Sequence, residues 1–246
     1  QNARNLGIMV RQVEDEIGVA NMVIGAAHTG CRSLCATSGG GFALMTEAVG
    51  AAAMMEIPAV FIDVQRAGPS TGVPTKTEQG DLWQSLGASQ GDFERFIVAP
   101  LNSLDCFNVM PELFNLTDKY QCPGIVLSDL LLAEGRFSVD PDLVNMHPNI
   151  DRGELITKPS STDGYLRYKD TESGISPRAL PGLEGYVHMA VTDEHDENSS
   201  LISDEFTNPH KRRRMVEKRG RKFKPVVKDI KAPELEGAAD ADITLV

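Results

Sequence analysis

The sequence predicts an α/β fold: a parallel sheet covered by helices, with an irregular arm and a C-terminal helix appended. Three observations carry that prediction. Short apolar runs recur through the first half of the chain, and several are apolar at consecutive positions, as strands buried on both faces require. Longer stretches rich in Gly and Ala separate them. Glycine-rich turns stand where apolar runs end.

LGIMV (6–10) reads as the first strand and residues 14–30 as a helix crowded with small residues. SLCAT (33–37) reads as a strand that ends in the turn Ser38-Gly39-Gly40-Gly41. Residues 42–56 read as a second helix, and AVFIDV (59–64) as a continuous apolar strand. FIVA (96–99), a helix over 101–120 and GIVLSD (124–129) complete the pattern. The small-residue stretches NMVIGAA (21–27) and EAVGAAAMM (47–55) lack a polar face. Those helices are therefore expected to be buried on more than one side, the second side being a subunit interface.

Beyond residue 136 the pattern dissolves into Pro, Gly, Asp and Ser, with HMAVTD (188–193) as the one strand expected there. Tyr165, Tyr168 and Tyr186 make this stretch too aromatic for disorder, so it reads as an arm that packs on something else. NPHKRRRMVEKRGRKFK (208–224) reads as a helix with Asn208 as cap and Pro209 at its first position. Its basic run could be a nucleic-acid or lipid patch, but a solvated helix face, or one that meets an acidic partner, is expected. The organisation is therefore an α/β domain over 1–135, an arm over 136–207, and over 208–246 a basic helix with a linker. The apolar runs at both ends, ITLV (243–246) included, read as strands cut short and predict a piece of a longer polypeptide.

A formal charge of −11 argues against non-specific attachment to nucleic acid or to an anionic membrane. No apolar run is long enough to span a bilayer. Cys31, Cys35, Cys106 and Cys122 are spaced for neither a zinc site nor a common iron–sulfur run, so a reduced cytoplasmic setting is expected.

Two residues stand out chemically. Glu16 begins a helix amid small residues, where a poorly solvated carboxyl is expected and burial would raise its pKa. Arg66 follows the strand at 59–64, at the carboxyl edge where α/β sheets place ligands, and a guanidinium pairs bidentately with a carboxylate. Asp193-Glu194-His195-Asp196-Glu197 invites a metal, but neighbours on a strand point to opposite faces, so no metal site is expected.

The string E-D-E-I-G (14–18), A-T-S-G-G-G-F-A-L-M-T-E-A (36–48) and D-V-Q-R-A-G-P-S-T-G-V-P-T-K-T-E-Q (63–79) resembles a known family. That family is the α subunit of thiamine-diphosphate-dependent 2-oxoacid:ferredoxin oxidoreductases, of the 2-oxoglutarate type. The likeness continues through G-D-F-E-R (91–95), I-D-R-G-E-L (150–155), G-I-S-P-R-A-L-P-G (174–182) and M-V-E-K-R (215–219), nearly the whole chain. It implies the pyrimidine-binding domain of the thiamine-diphosphate superfamily. It further implies that Glu16 activates the cofactor by sharing a proton with a ring nitrogen. Thr37, Ser38 and Gly39 would form the cofactor turn, Arg66 would hold the substrate carboxylate, and Thr75 would lie near the substrate. The implied reaction is oxidative decarboxylation of a 2-oxoacid to an acyl-coenzyme A, with electrons passed to ferredoxin. A β-type partner subunit would supply the diphosphate and magnesium motif and the iron–sulfur cluster, since this sequence has neither.

Two departures stand against the family pattern. The Y-P-I-T-P segment that helps hold substrate, expected before residue 1, is absent, and so is the domain that usually follows the arm; in addition Gly40 occupies the place of the wider superfamily's usual Pro. Two other readings compete. One is a non-catalytic nucleotide-binding α/β subunit that cradles phosphate at 38–41; the missing Walker lysine and ribose-binding carboxylate count against it. The other is a structural subunit with relic residues.

Overall fold

The computed structural model describes residues 3–159, 164–201, 208–231, 237–238 and 240–243. Helix α1 (Glu16–His28) leads through a short connection into strand β1 (Leu34–Ser38), which runs without a loop into α2 (Gly39–Met54). Strand β2 (Val60–Gln65), the short helix α3 (Leu82–Leu86), β3 (Phe96–Val98), α4 (Ser103–Tyr120), β4 (Gly124–Asp129) and α5 (Leu130–Glu134) follow. All four strands are parallel, in the order β1-β2-β4-β3, so the predicted fold class holds.

The two faces of the sheet are sealed differently. Phe61 of β2, Cys35 of β1 and Ile125 of β4 face α1 and α2, where Ala20, Val23, Ala27, Phe42, Met45, Val49 and Ala52 are buried against them. Val60 and Val126 face α4, packing with Leu113, Leu116 and Tyr120. The small residues of α1 and α2 let the two helices approach each other and the sheet together. Ile17 and Met22 of α1 and Leu44 of α2 nevertheless stay about half exposed, the large apolar groups that a second packing face would cover.

The arm folds back on the domain's own amino-terminal edge. A two-stranded pair, β5 (Leu155–Ile156) with β6 (Arg178–Ala179), places Arg178 against Asp118 at the end of α4. Arg32, entering β1, and Arg152 reach the same carboxylate, at 3.0 and 2.8 Å. Helix α6 (Pro209–Arg221) begins as expected, with Asn208 accepting from the Lys211 N–H. Its basic run meets acidic groups of the same chain. Arg219 grips Glu194 with two hydrogen bonds of 2.9 Å, and Arg214 and Arg221 pair with Glu197 and Asp170.

Two further cations of this segment, Lys218 and Lys222, meet at Glu56. This residue follows α2 in the left-handed region, φ 53°, which a non-glycine residue adopts at a cost. It is fully buried. Lys218 Nζ lies 2.6 Å from one oxygen and Lys222 Nζ 3.1 Å from the other, while Arg167 donates to its carbonyl. Burial alone would raise the Glu56 pKa, but the two ammonium groups hold it far below the carboxylate range.

Two strand expectations fail here. LGIMV (6–10) is not a strand: residues 3–6 form a 3₁₀ turn, and Leu6, Ile8, Met9 and Val10 are all exposed with no strand beside them. HMAVTD (188–193) is not a strand either: the Met189 and Asp193 carbonyls bond the Ser199 and His195 side chains, and the pairing of the arm falls at 155–156 with 178–179. Ile243 is outside any strand, and 244–246 lie beyond the described residues. The arm's Arg167, Tyr168 and Arg178 are buried, Arg167 donating to the Met55 and Glu56 carbonyls and Arg178 to Asp118.

Candidate active site

At the carboxyl ends of β1 and β2 the sheet opens into a cleft of about 680 Å³, lined by Glu16, the 38–41 turn, Arg66, Ser70, Asp81 and Gln84. Each wall follows from local sequence. Asp15 caps α1 by accepting from the Gly18 N–H, which fixes Glu16 in the first turn beside the cleft. Because β1 passes directly into α2, Thr37 and Ser38 end the strand and Gly39 begins the helix; Ser38 makes no side-chain cap bond.

Glycine is required in the turn. A Cβ on Gly41 would stand 2.0 Å from Thr37 Oγ1 and 2.9 Å from Glu16 Oε1. Glu16 and Thr37 therefore close on the space a side chain would fill. A Cβ on Gly39 would meet Asp81 Oδ2 at 2.2 Å, and one on Gly40 would stand 3.7 Å from Arg66 Nη2. Successive glycines thus present their backbone to a carboxylate and to a guanidinium.

Glu16 is half-buried and has no hydrogen-bond or ion-pair partner among the described residues. The full enclosure expected of it is not reached within this chain, because the cleft side of α1 is open. Arg66 is also half-buried. Its Nε is shielded yet makes no hydrogen bond, and no carboxylate pairs with it among the described residues. Thr75 is exposed, at φ 61°, and its hydroxyl donates to the Pro74 carbonyl at 2.6 Å. It is not among the residues lining the cleft, so Glu16, Arg66, Ser38 and Gly39 come together without it.

The loop after Arg66 is tied down rather than loose. The Val73 N–H donates to the Ala67 carbonyl, and Gly72 turns so sharply that any Cβ would strike that carbonyl oxygen at 1.8 Å. Gln79 donates to Asp129 at 2.8 Å, and Thr77 accepts from the Leu131 N–H. These bonds fold the loop over the end of β4.

Sequence reasoning missed the residues behind the cleft. Asp63 is fully buried, and neither carboxylate oxygen has a hydrogen-bond partner. It stands in register with Thr37 on β1 and Leu127 on β4. Burial, and then the nearby Asp81, push its carboxyl up to about 7. Asp81 is itself raised, by burial and by Glu78. Gln65 accepts from the Asp81 N–H and Gln84 donates to the Gly39 carbonyl, pinning α3 to the turn. The signal was present in AVFIDV: an Asp inside a run otherwise apolar on both faces.

Residues 1–218 match the family described as pyruvate flavodoxin/ferredoxin oxidoreductase, thiamine-diphosphate-binding. This chain belongs to that family. Among its relatives is subunit alpha of a 2-oxoacid:ferredoxin oxidoreductase from Aeropyrum pernix, 38% identical over 98% of this chain and 37% of that protein. A 2-oxoglutarate synthase subunit KorA from Methanothermobacter thermautotrophicus is 36% identical over 87% of this chain and 54% of its own length. A solved 2-oxoglutarate:ferredoxin oxidoreductase from Magnetococcus marinus, with 2-oxoglutarate, coenzyme A and succinyl-CoA bound, matches with a TM-score of 0.83 at 37% identity. It is covered over 40% of its chain, and this chain over 96%. The chain therefore spans between about a third and a half of the length of these relatives. The resemblance noted in the sequence and the parallel α/β class are both upheld. No described helix is long and apolar enough to cross a membrane.

Proposed function

We propose that this chain is the cofactor-activating part of the α subunit of a 2-oxoacid:ferredoxin oxidoreductase, with 2-oxoglutarate as substrate. The observation that carries the reading is the juxtaposition of an unpaired carboxylate, Glu16, and an unpaired guanidinium, Arg66, across a glycine-floored cleft. The names of the relatives support the same assignment.

The residues fit thiamine diphosphate. The cleft of about 680 Å³ is floored by Gly39, Gly40 and Gly41, which put no side chain into it, and Glu16 beside them has no hydrogen-bond or ion-pair partner among the described residues. When bound, the cofactor supplies an electron sink for the decarboxylation. Glu16 would hold a proton at the ring nitrogen of the aminopyrimidine, with Thr37 at the same end of the turn, beside Gly41. Arg66 receives the carboxylate of the 2-oxoacid through its planar fork, which orients the 2-oxo carbon. Thr75 would have to approach with the substrate or with a partner. A β-type subunit holds the diphosphate with its magnesium and carries the iron–sulfur cluster. Coenzyme A takes the acyl group and ferredoxin the electrons. Partner surface over Ile17 and Leu44 completes the enclosure of Glu16. A cytoplasmic location accords with this chemistry.

The test is to co-express the full-length subunit with its β-type partner and follow 2-oxoglutarate- and coenzyme A-dependent reduction of ferredoxin or a viologen. Reduction that requires thiamine diphosphate is expected. A well-assembled, cofactor-loaded complex that reduces nothing with any 2-oxoacid overturns the proposal.

A further inference from the structure

The cleft has a second layer that the proposed reaction does not use. Asp63 sits in it with no exposed surface and two unbonded oxygens. Asp81 lines the cleft, its own Oδ2 shielded and unbonded among the described residues, its carboxylate pressed into the space beside Gly39. A buried carboxylate with neither a cation nor an N–H to meet it is unfavourable, and here a second carboxylate is close enough to oppose its ionisation.

The surroundings leave few ways to relieve this. On the same sheet face β1 offers Thr37 and, one pleat back, Cys35, whose thiol burial pushes up to about 12 and keeps neutral. On β4 the neighbour is Leu127, and Asp129 beyond it is committed to Leu132 N–H and Gln79. The α2 face brings Gly41, Phe42 and Met45 with no charge, and α1 brings Glu16. The 66–81 loop adds Glu78 beside Asp81. Arg66 is the one cation among the residues lining the cleft, and it pairs with none of these acids.

We propose that Asp63, fully buried with no partner for either oxygen among the described residues, is held protonated behind the cleft, and that this proton is what lets Arg66 accept an anionic substrate. Asp63 is thus a positioning residue. With Asp63 neutral, Asp81 alone puts a negative charge beside the turn. When the Asp63 proton leaves to solvent, a second charge appears behind the turn and opposes the substrate carboxylate at Arg66. The penalty falls on substrate binding, because neither acid touches the reacting carbon. This inference rests on the assignment of Arg66 to the substrate carboxylate.

Two measurements on the assembled full-length enzyme test it. In the first, KM for 2-oxoglutarate and kcat are followed from pH 6 to 8.5 in the wild type and in Asp63→Asn, whose amide is neutral throughout. The wild-type KM is expected to rise about tenfold through the neutral range, the scale of a unit-charge repulsion in a partly buried site. In Asp63→Asn that rise should vanish. In the second, infrared titration looks for a protonated-carboxyl band that disappears near neutral pH in the wild type, is absent in Asp63→Asn, and titrates at lower pH in Asp81→Asn. A KM that climbs equally in Asp63→Asn, or a band unmoved by both substitutions, overturns the proposal. The infrared arm needs no turnover, so an inactive complex defeats the functional reading while still deciding this one. If Asp63→Asn does not fold, the Asp81→Asn shift decides it.

Discussion

The two ends of this sheet carry similar numbers of buried or half-buried acids and treat them in opposite ways. At the amino-terminal edge, Glu56 meets two lysines and Asp118 meets three arginines. At the carboxyl edge, Glu16, Asp63 and Asp81 have no cation within ion-pair distance among the described residues, and Arg66 has no carboxylate. A fold held together by ion pairs alone would satisfy both ends. The contrast teaches that one edge is finished within the chain, while the other is left with unmet bonding capacity of the kind a ligand supplies.

Replacing an acid at each edge should separate function from stability. In the assembled enzyme Glu16→Gln is expected to cost about 10²–10⁴-fold in turnover, the usual scale for lost general acid–base help, with little change in melting temperature. Near-normal turnover breaks the assignment. At the opposite edge Glu56→Gln leaves Lys218 and Lys222 buried without their counter-charge. It should destabilise the chain by about 3–5 kcal/mol, read from denaturant or thermal unfolding. A stable Glu56→Gln chain would mean that the amino edge is not the clamp it resembles.

Arg66 gives a smaller but more specific effect. Arg66→Ala should lower kcat/KM for the 2-oxoacid by at least about 30-fold, from a typical loss of about 2–5 kcal/mol for a desolvated charged partner. Arg66→Lys should recover only part, since an ammonium lacks the planar fork. Cofactor affinity should hold in both. If affinity collapses while substrate kinetics hold, Arg66 belongs to a phosphate site.

The smallest expected effect sharpens the contrast through pH. Glu56 has its pKa depressed, so the stability it confers is present above its unfolded value and lost as pH falls. Asp63 has its pKa raised to about 7, so the folded chain holds the extra proton and stability falls as pH rises from about 4 to about 7. Melting curves of the wild type, Glu56→Gln and Asp63→Asn should therefore diverge in opposite directions. Asp63→Asn should gain most over the wild type above neutral pH and little near pH 4. An equal gain at all pH values would show that Asp63 does not ionise there.

The legibility of these features in the sequence follows their physics. The strands at β1, β2 and β4 and the glycine turn were readable because consecutive apolar residues and Gly have local causes. LGIMV and HMAVTD have the composition of strands, but pairing needs a partner, and composition does not say whether one exists. Lys218 and Lys222 read as part of a solvated run because their anion stands at Glu56, far away along the chain. Glu16 and Arg66 were legible only through the motif around them. Asp63 was hidden by its neighbours, which spelled a continuous apolar strand.

The clamp on Glu56 spans 162 residues to Lys218 and 166 to Lys222. A ribosome making this chain releases Glu56 long before either lysine. Until α6 emerges, the segment after α2 carries a carboxylate destined for the interior with nothing to neutralise it. The last helix thus acts as a completion signal: the body of the domain can collapse early, but it cannot seal its lower edge before synthesis has passed residue 222. A nascent or truncated chain ending short of that point would expose an open edge, and with it a site for chaperones or proteases to read.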